Sequence, residues 1–182
     1  MSMSFFPLGR LRWAKMEQLT HYDIENNQKK FPITIVCDAI RTPENIGMCF
    51  RISESFGVDK IYFHENSPTT ENRIVKKTAR NTINQIEHEI YTDFNEIIHQ
   101  LKAAGNTIIG IEITDKSINI QDFDFKNNEK IVLLLGSERN GIENINLVDE
   151  TISIPMYGRN SSMNVIHSLT ITLYEVTNQL AK

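Results

Sequence analysis

The chain has 182 residues, 40% hydrophobic and 23% charged, which suits one compact domain with a substantial core. No window approaches the roughly 18 consecutive apolar residues of a membrane span, and the start Met1-Ser-Met-Ser-Phe-Phe-Pro-Leu8 lacks the basic residues and long apolar stretch of a signal peptide, so a cytoplasmic protein is expected. The formal charge of −4 argues mildly against nucleic acid, but its distribution is uneven: residues 1–80 hold 12 basic and 9 acidic side chains, residues 81–182 hold 7 and 14.

Residues 1–30 form an arm distinct from a domain over 31–182. Phe5, Phe6, Leu8, Leu11 and Trp13 lie among Arg10, Arg12 and Lys15, a mixture that either touches RNA bases and phosphates or packs as a short helix on the domain. Ile33 to Asp38 reads as a buried strand, stopped by Pro43 and its polar neighbours. A helix over 45–56 follows, with Asn45 near its start, Arg51 six residues on, and Gly57 closing it.

A strand over 60–63 precedes a helix over 71–82. There Arg73, Lys76, Lys77 and Arg80 fall at i, i+3, i+4 and i+7, making one continuous basic face. That face is either an ordinary solvated helix surface or a stripe that tracks phosphates. After a strand over 86–90 comes the cleanest helix, 93–104, with Thr92 or Asp93 as cap, Glu96 in its first turn and Gly105 just past its end.

Strands over 107–113 and 131–135 follow. The second runs into Gly136-Ser137-Glu138-Arg139-Asn140-Gly141, two glycines and a carboxylate where open α/β sheets hold ligands. A strand over 151–154 then enters a polar, glycine-bearing loop through Ile154-Pro155-Met156, and a terminal helix over 163–180 opens on Ser162-Met163-Asn164-Val165. Its Val165, Ile166, Leu169, Ile171, Leu173, Val176 and Leu180 make it apolar over more than one face. This alternation predicts an α/β fold, a mostly parallel sheet with helices on both faces.

Cys37 and Cys49 are expected as buried free thiols. His21, His64, His88, His99 and His167 are scattered without ligand spacing, so no metal is expected. His167 reads as a core or dimer-contact residue.

Taken together and in this order, Asn45-x-Gly47-x-x-x-Arg51, Gly136-Ser-Glu138-x-x-Gly141, and Ile154-Pro-Met156 with Ser162-Met-Asn164-Val165 resemble the three motifs of the SpoU-type (TrmH-like) class of the SPOUT superfamily of RNA methyltransferases. The resemblance covers residues 33 to 180. It implies a C-terminal deep trefoil knot, a homodimer built around the terminal helix, and transfer of a methyl group from S-adenosyl-L-methionine to a ribose 2′-hydroxyl. It departs from the pattern at Met163, where leucine is usual, at Ile166-His167-Ser168, where small residues are usual, and at Arg139-Asn140, which are larger than usual.

By the same resemblance, Ile111, Glu112, Leu135, Gly136, Glu138, Ile154, Met156 and Met163 hold the cofactor, and Met163 covers its adenine. Arg51 is implied near the target hydroxyl, its alternative being an ion pair with Glu54 or Glu44. Asn45 fixes its loop, while Ser162 and Asn164 orient cofactor and ribose. RNA is the implied partner, with tRNA slightly ahead of rRNA because the arm is too short to be a separate RNA-binding domain; Arg73, Lys76, Lys77 and Arg80 are the candidate contacts. An RNA-binding or assembly protein without turnover, or an enzyme that methylates a base, are the alternatives.

Overall fold

Ile131-Val-Leu-Leu-Leu135 carries no polar side chain, so it belongs where both of its faces are covered. In a computed structural model of the protein, which describes residues 18, 19, 23 and 28–182, all five residues are buried at the middle of a sheet. The arm at residues 5–15 lies outside the described residues. Among those described, the strands in chain order are β1 (Ile33–Cys37), β2 (Lys60–His64), β3 (Glu87–Tyr91), β4 (Thr107–Ile111), β5 (Ile118–Asn119), β6 (Ile131–Leu135) and β7 (Glu150–Ser153). They form one sheet in the order β3-β2-β1-β6-β4-β7-β5, and every pairing is parallel.

Alternation along the strands sorts side chains onto two faces. Ile33, Ile35, Cys37, Leu133 and Leu135 point into a core shared with helices α1 (Pro43–Ser55), α2 (Arg73–Ala79) and α4 (Val165–Leu180). Val36, Ile108, Val132 and Leu134 face helix α3 (Phe94–Ala103) through Ile97, Ile98 and Leu101. At one edge, β3 exposes Glu87 and Glu89, and Lys60 of its neighbour bridges them at 2.8 and 2.7 Å. Charged side chains on an open edge discourage pairing with another strand.

Several boundaries differ from the sequence reading, each for a local reason. Pro43 opens α1 instead of merely ending β1, because the first helical position needs no N–H donor. The helix expected over 71–82 is only Arg73–Ala79. Asn72 starts it, its Oδ1 accepting Ile74 N at 2.8 Å, a cap worth about 1 kcal/mol.

Arg80 ends that helix with φ 57° and ψ −126°, a conformation comfortable for glycine. The expected basic face is corrected accordingly: Arg73, Lys76 and Lys77 stand on the helix, and Arg80 sits at its C-cap outside helical geometry. Asp93 caps α3, accepting Glu96 N at 3.0 Å. Asn164 caps α4, so that helix starts at Val165 and not at Met163. The two-residue β5 has no apolar run to announce it.

Gly47 is where α1 and α2 meet. A Cβ there would sit 2.7 Å from Thr78 Cβ and 2.8 Å from the Val75 carbonyl oxygen. Gly47→Ala is therefore expected to lower stability by about 1–3 kcal/mol through overpacking. Urea denaturation checks this: the midpoint should fall with the slope unchanged, and an unmoved midpoint would mean that α2 yields freely.

Candidate active site

Three loops leave the C-terminal ends of β4, β6 and β7 side by side and enclose a cavity of about 390 Å³. All eight residues named above as cofactor contacts line it, from Ile111 and Glu112 on the first loop to Met156 and Met163 on the third. Ser162 and Asn164 line it as well. The sequence reading missed the wall hydroxyls of Ser137, Ser153 and Ser168. Ser168 had a signal, since it stands one helical turn after Asn164 and shares its face.

The second loop owes its shape to two glycines. Ser137 and Gly141 exchange backbone hydrogen bonds at 3.0 and 3.1 Å, folding the segment back on itself. Gly136 packs so closely on the backbone of Gly141 that a Cβ would collide with it, and Gly141 has a φ of 65°. Glu112 ties this loop to the end of β4: Oε1 accepts Ile113 N at 3.0 Å and Oε2 accepts Ile142 N at 3.2 Å. Asn140 donates to Glu143 at 3.1 Å, within its own loop.

One carboxylate joins all three motifs. Glu138 accepts the backbone N–H groups of Arg41 and Thr42, both at 3.2 Å, and Asn45 Nδ2 at 2.9 Å. Asn45 Oδ1 in turn accepts Asn164 Nδ2 at 3.1 Å, and Asn164 Oδ1 accepts Ile166 N at 2.8 Å, capping α4. Partial burial works against the charge on Glu138, yet the hydrogen bonds from Asn45 and the loop amides outweigh it and hold the carboxyl below its usual range.

Arg51 and Asn45 are not on the cavity wall. Asn45 is buried in the first turn of α1, and Arg51 is half-buried about 9 Å further along the helix. Among the described residues Arg51 forms no ion pair with Glu44 or Glu54. Ser162 is exposed at the cavity mouth and does not cap α4. Arg73, Lys76, Lys77 and Arg80 are exposed on α2 and just beyond it, away from the cavity.

Cys37 and Cys49 are free, buried thiols 3.9 Å apart, and burial pushes the Cys37 thiol well up. His167 is exposed on α4. His64 stacks edge-on against Tyr91, and His88 against Phe50.

The sign of the Glu138 effect fixes a pH dependence. A carboxyl whose pKa is lowered on folding adds stability that is complete above its unfolded value, about 4.3, and is lost as pH falls through the folded value. Glu138→Gln should therefore be less stable than the parent chain near about pH 6, with the difference shrinking toward about pH 3. Thermal midpoints measured across this range decide it, and a constant difference would mean that the charge is not what holds the loops.

The model of the SpoU rRNA Methylase family matches residues 32–174. A protein of Borreliella burgdorferi named as an uncharacterized tRNA/rRNA methyltransferase is 28% identical over 87% of this chain and 71% of its own length. A 23S rRNA (guanosine-2′-O-)-methyltransferase of Neisseria meningitidis is 27% identical, over 86% of this chain and 62% of the relative. The tRNA (guanosine(18)-2′-O)-methyltransferase of Escherichia coli is 24% identical, over 81% and 63%. The chain thus spans under two thirds of the length of the last two.

Among solved structures, the A. aeolicus TrmH/SpoU tRNA modifying enzyme superposes with a TM-score of 0.75 at 22% identity, covering 85% of this chain and 78% of that one. The SpoU methyltransferase AviRb of Streptomyces viridochromogenes, solved with AdoMet, gives 0.73 at 24% identity, over 84% and 61%. These two likenesses bear on the fold, and the family match rests on the sequence across most of the sheet and all three loops: the chain belongs to the SpoU methylase family.

Proposed function

We propose that this chain is an RNA methyltransferase that takes its methyl group from S-adenosyl-L-methionine and places it on a ribose 2′-hydroxyl. The observation that carries the reading is the hydrogen-bonded chain from the Arg41 and Thr42 amides through Glu138 and Asn45 to Asn164, which assembles three family motifs around one cavity.

The cavity suits such a cofactor. Its size lies in the range of small-molecule sites, and its walls are strand-end main chain with the aliphatic side chains of Ile111, Leu135, Ile154 and Met156. Glycines at 136 and 141 keep Cβ atoms out of the second loop, leaving backbone groups to face a ligand. In this reading Met163, half-buried on the third loop, covers the adenine, and Ser162 and Asn164, which line the same cavity, supply polar groups beside it. S-adenosylmethionine, when bound, supplies an already activated methyl group, so the protein's task is to align it with the acceptor oxygen.

Arg51 is the electrostatic group in this reading. A guanidinium keeps its proton at any working pH, so it acts by stabilising the developing alkoxide or by orienting the adjacent phosphate, not as a base. Its freedom from Glu44 and Glu54 leaves its charge available. Relatives named for tRNA and for 23S rRNA both match, so an assay has to offer both. Two structural expectations belong to the same proposal. One is the trefoil knot, which rests on the resemblance to the SpoU-type family. The other is a homodimer around α4, supported by exposed Ile171 and Tyr174.

The test is methyl transfer from labelled S-adenosylmethionine to total RNA from a strain lacking the gene, with nucleoside analysis and nuclease digestion. Label in one 2′-O-methylated nucleoside, in a linkage that resists cleavage needing a free 2′-hydroxyl, is expected. Arg51→Ala should lower kcat by about 100- to 1000-fold, as removing an oxyanion-stabilising donor does, and leave the affinity for S-adenosylhomocysteine unchanged. Label on a base, or no binding of S-adenosylhomocysteine at all, would defeat the proposal.

A further inference from the structure

We infer that the outward face of α2 is a docking ridge for the RNA backbone, with Arg73, Lys77 and Arg80 as its phosphate contacts; this rests on the RNA methyltransferase reading above. Val75 and Ala79 bury the inner side of the helix, while Arg73, Lys76 and Lys77 are exposed on it and Arg80 is exposed at its C-cap, just past its end. Lys76 is engaged by Glu71 at 2.7 Å. The other three form no ion pair among the described residues, so their charge is open to a ligand.

Position makes the ridge relevant to the site. The inner side of α2 packs on Gly47, two residues after Asn45 and four before Arg51, in contact closer than any side chain allows. A glycine there brings the ridge to about one helix diameter, ~10 Å, from the helix that carries both motif-one residues. A strand of RNA held by its phosphates along α2 thus lies one helix away from α1, the helix that carries Arg51.

Arg80 provides a second, independent reason. Its backbone, at φ 57° and ψ −126°, lies where glycine is relaxed and arginine strained. Its backbone N–H bonds Lys76 O at 3.0 Å, a bond that glycine would make equally well. Among the described residues no hydrogen bond or ion pair uses the guanidinium, so the strained residue is accounted for by what its side chain meets outside the fold. An anionic polymer is the partner that rewards three unpaired cations in a row, and counterion release makes such binding steeply dependent on salt.

The experiment compares the parent chain with the triple variant Arg73→Gln, Lys77→Gln, Arg80→Gly, using total tRNA and total rRNA as probes with S-adenosylhomocysteine present, over a salt series. The ridge predicts an RNA Kd raised about tenfold or more and a log affinity–log salt slope flattened by about 2 to 3, roughly 0.7 to 0.9 for each lost phosphate contact, and, with S-adenosylmethionine in place of S-adenosylhomocysteine, an RNA KM raised to match. Affinity for S-adenosylhomocysteine stays the same.

Arg80→Gly alone should raise the thermal midpoint by a few degrees, on the order expected for relief of backbone strain in a domain of this size, while weakening RNA binding several-fold. A purely structural role would move the two in the same direction. Methyl transfer by the triple variant with the parent's KM and salt slope would overturn the ridge and leave the methyltransferase reading standing. A parent chain that neither binds RNA nor transfers methyl to it would overturn both.

Discussion

The joining of the site's loops depends on a single carboxylate at the place where three distant segments meet. Glu138 lies 93 residues from Asn45, and Asn164 lies 119 residues from Asn45, yet the three side chains form one continuous run of hydrogen bonds. Without the charge on Glu138, the amides of Arg41 and Thr42 would lose their shared acceptor, and Asn45 would lose the contact that fixes which way its amide points. Asn164 would then cap α4 while facing a mobile neighbour. Hydrogen bonds to an ionised acceptor are stronger than neutral ones, and that explains how a partly exposed group can organise loops carrying few apolar contacts of their own.

The sheet explains why the site lies at these loops. From β1 the chain steps outward to β2 and β3, then crosses to β4, leaving a slot that β6 fills between β1 and β4. The connections leave β1 and β6 in opposite directions, and the crevice opens on the far side of β6 from β1, among the loops after β6, β4 and β7. β6 and β4 supply the walls, β7 brings the third loop alongside, and the loop after β1 reaches over to Glu138. Gly136 and Gly141 then let the second loop double back without closing the crevice. Burial of β6 on both faces holds this edge of the cavity rigid.

Much of this was legible from residue order. The continuous apolar run at Ile131, and the run at Ile33 broken only by Thr34, marked central parallel strands because a strand covered on both faces tolerates them. Glycine and carboxylate at the end of β6 marked a ligand loop. The motif spacing brought Asn45, Glu138 and Asn164 into one expectation, though not the direction of each hydrogen bond, which is set by geometry between segments remote in sequence.

Boundaries were less legible, since Pro43 read as a strand stop but opens α1, and Asn72 fell inside an expected helix but caps it. The helical face containing Arg80 failed because helical spacing says nothing about a residue whose backbone has turned to positive φ. Gly47 read as part of a motif, whereas its physical role is the close approach of two helices. Ser153 carries no pattern at all: a single hydroxyl at a strand end becomes part of a wall only when two other loops arrive.

The same geometry narrows how a hydroxyl proton could leave. Glu138 hydrogen-bonds the motif residue Asn45, but it already accepts three hydrogen bonds and is held below its usual range, so it is a weak base. Glu112 lies on the cavity wall with both oxygens committed to backbone amides. The two cysteines are buried in the core, where burial disfavours the Cys37 thiolate. Each of these groups is thus spent on structure, and what the site retains in surplus is positive charge at Arg51. A site with committed carboxylates and a free guanidinium favours making the hydroxyl oxygen more tolerable as an anion over capturing its proton on a strong base. Under the proposed function, methyl transfer would gain from a field already in place, and Arg51, half-buried on the helix that Asn45 anchors, is the group proposed to supply it.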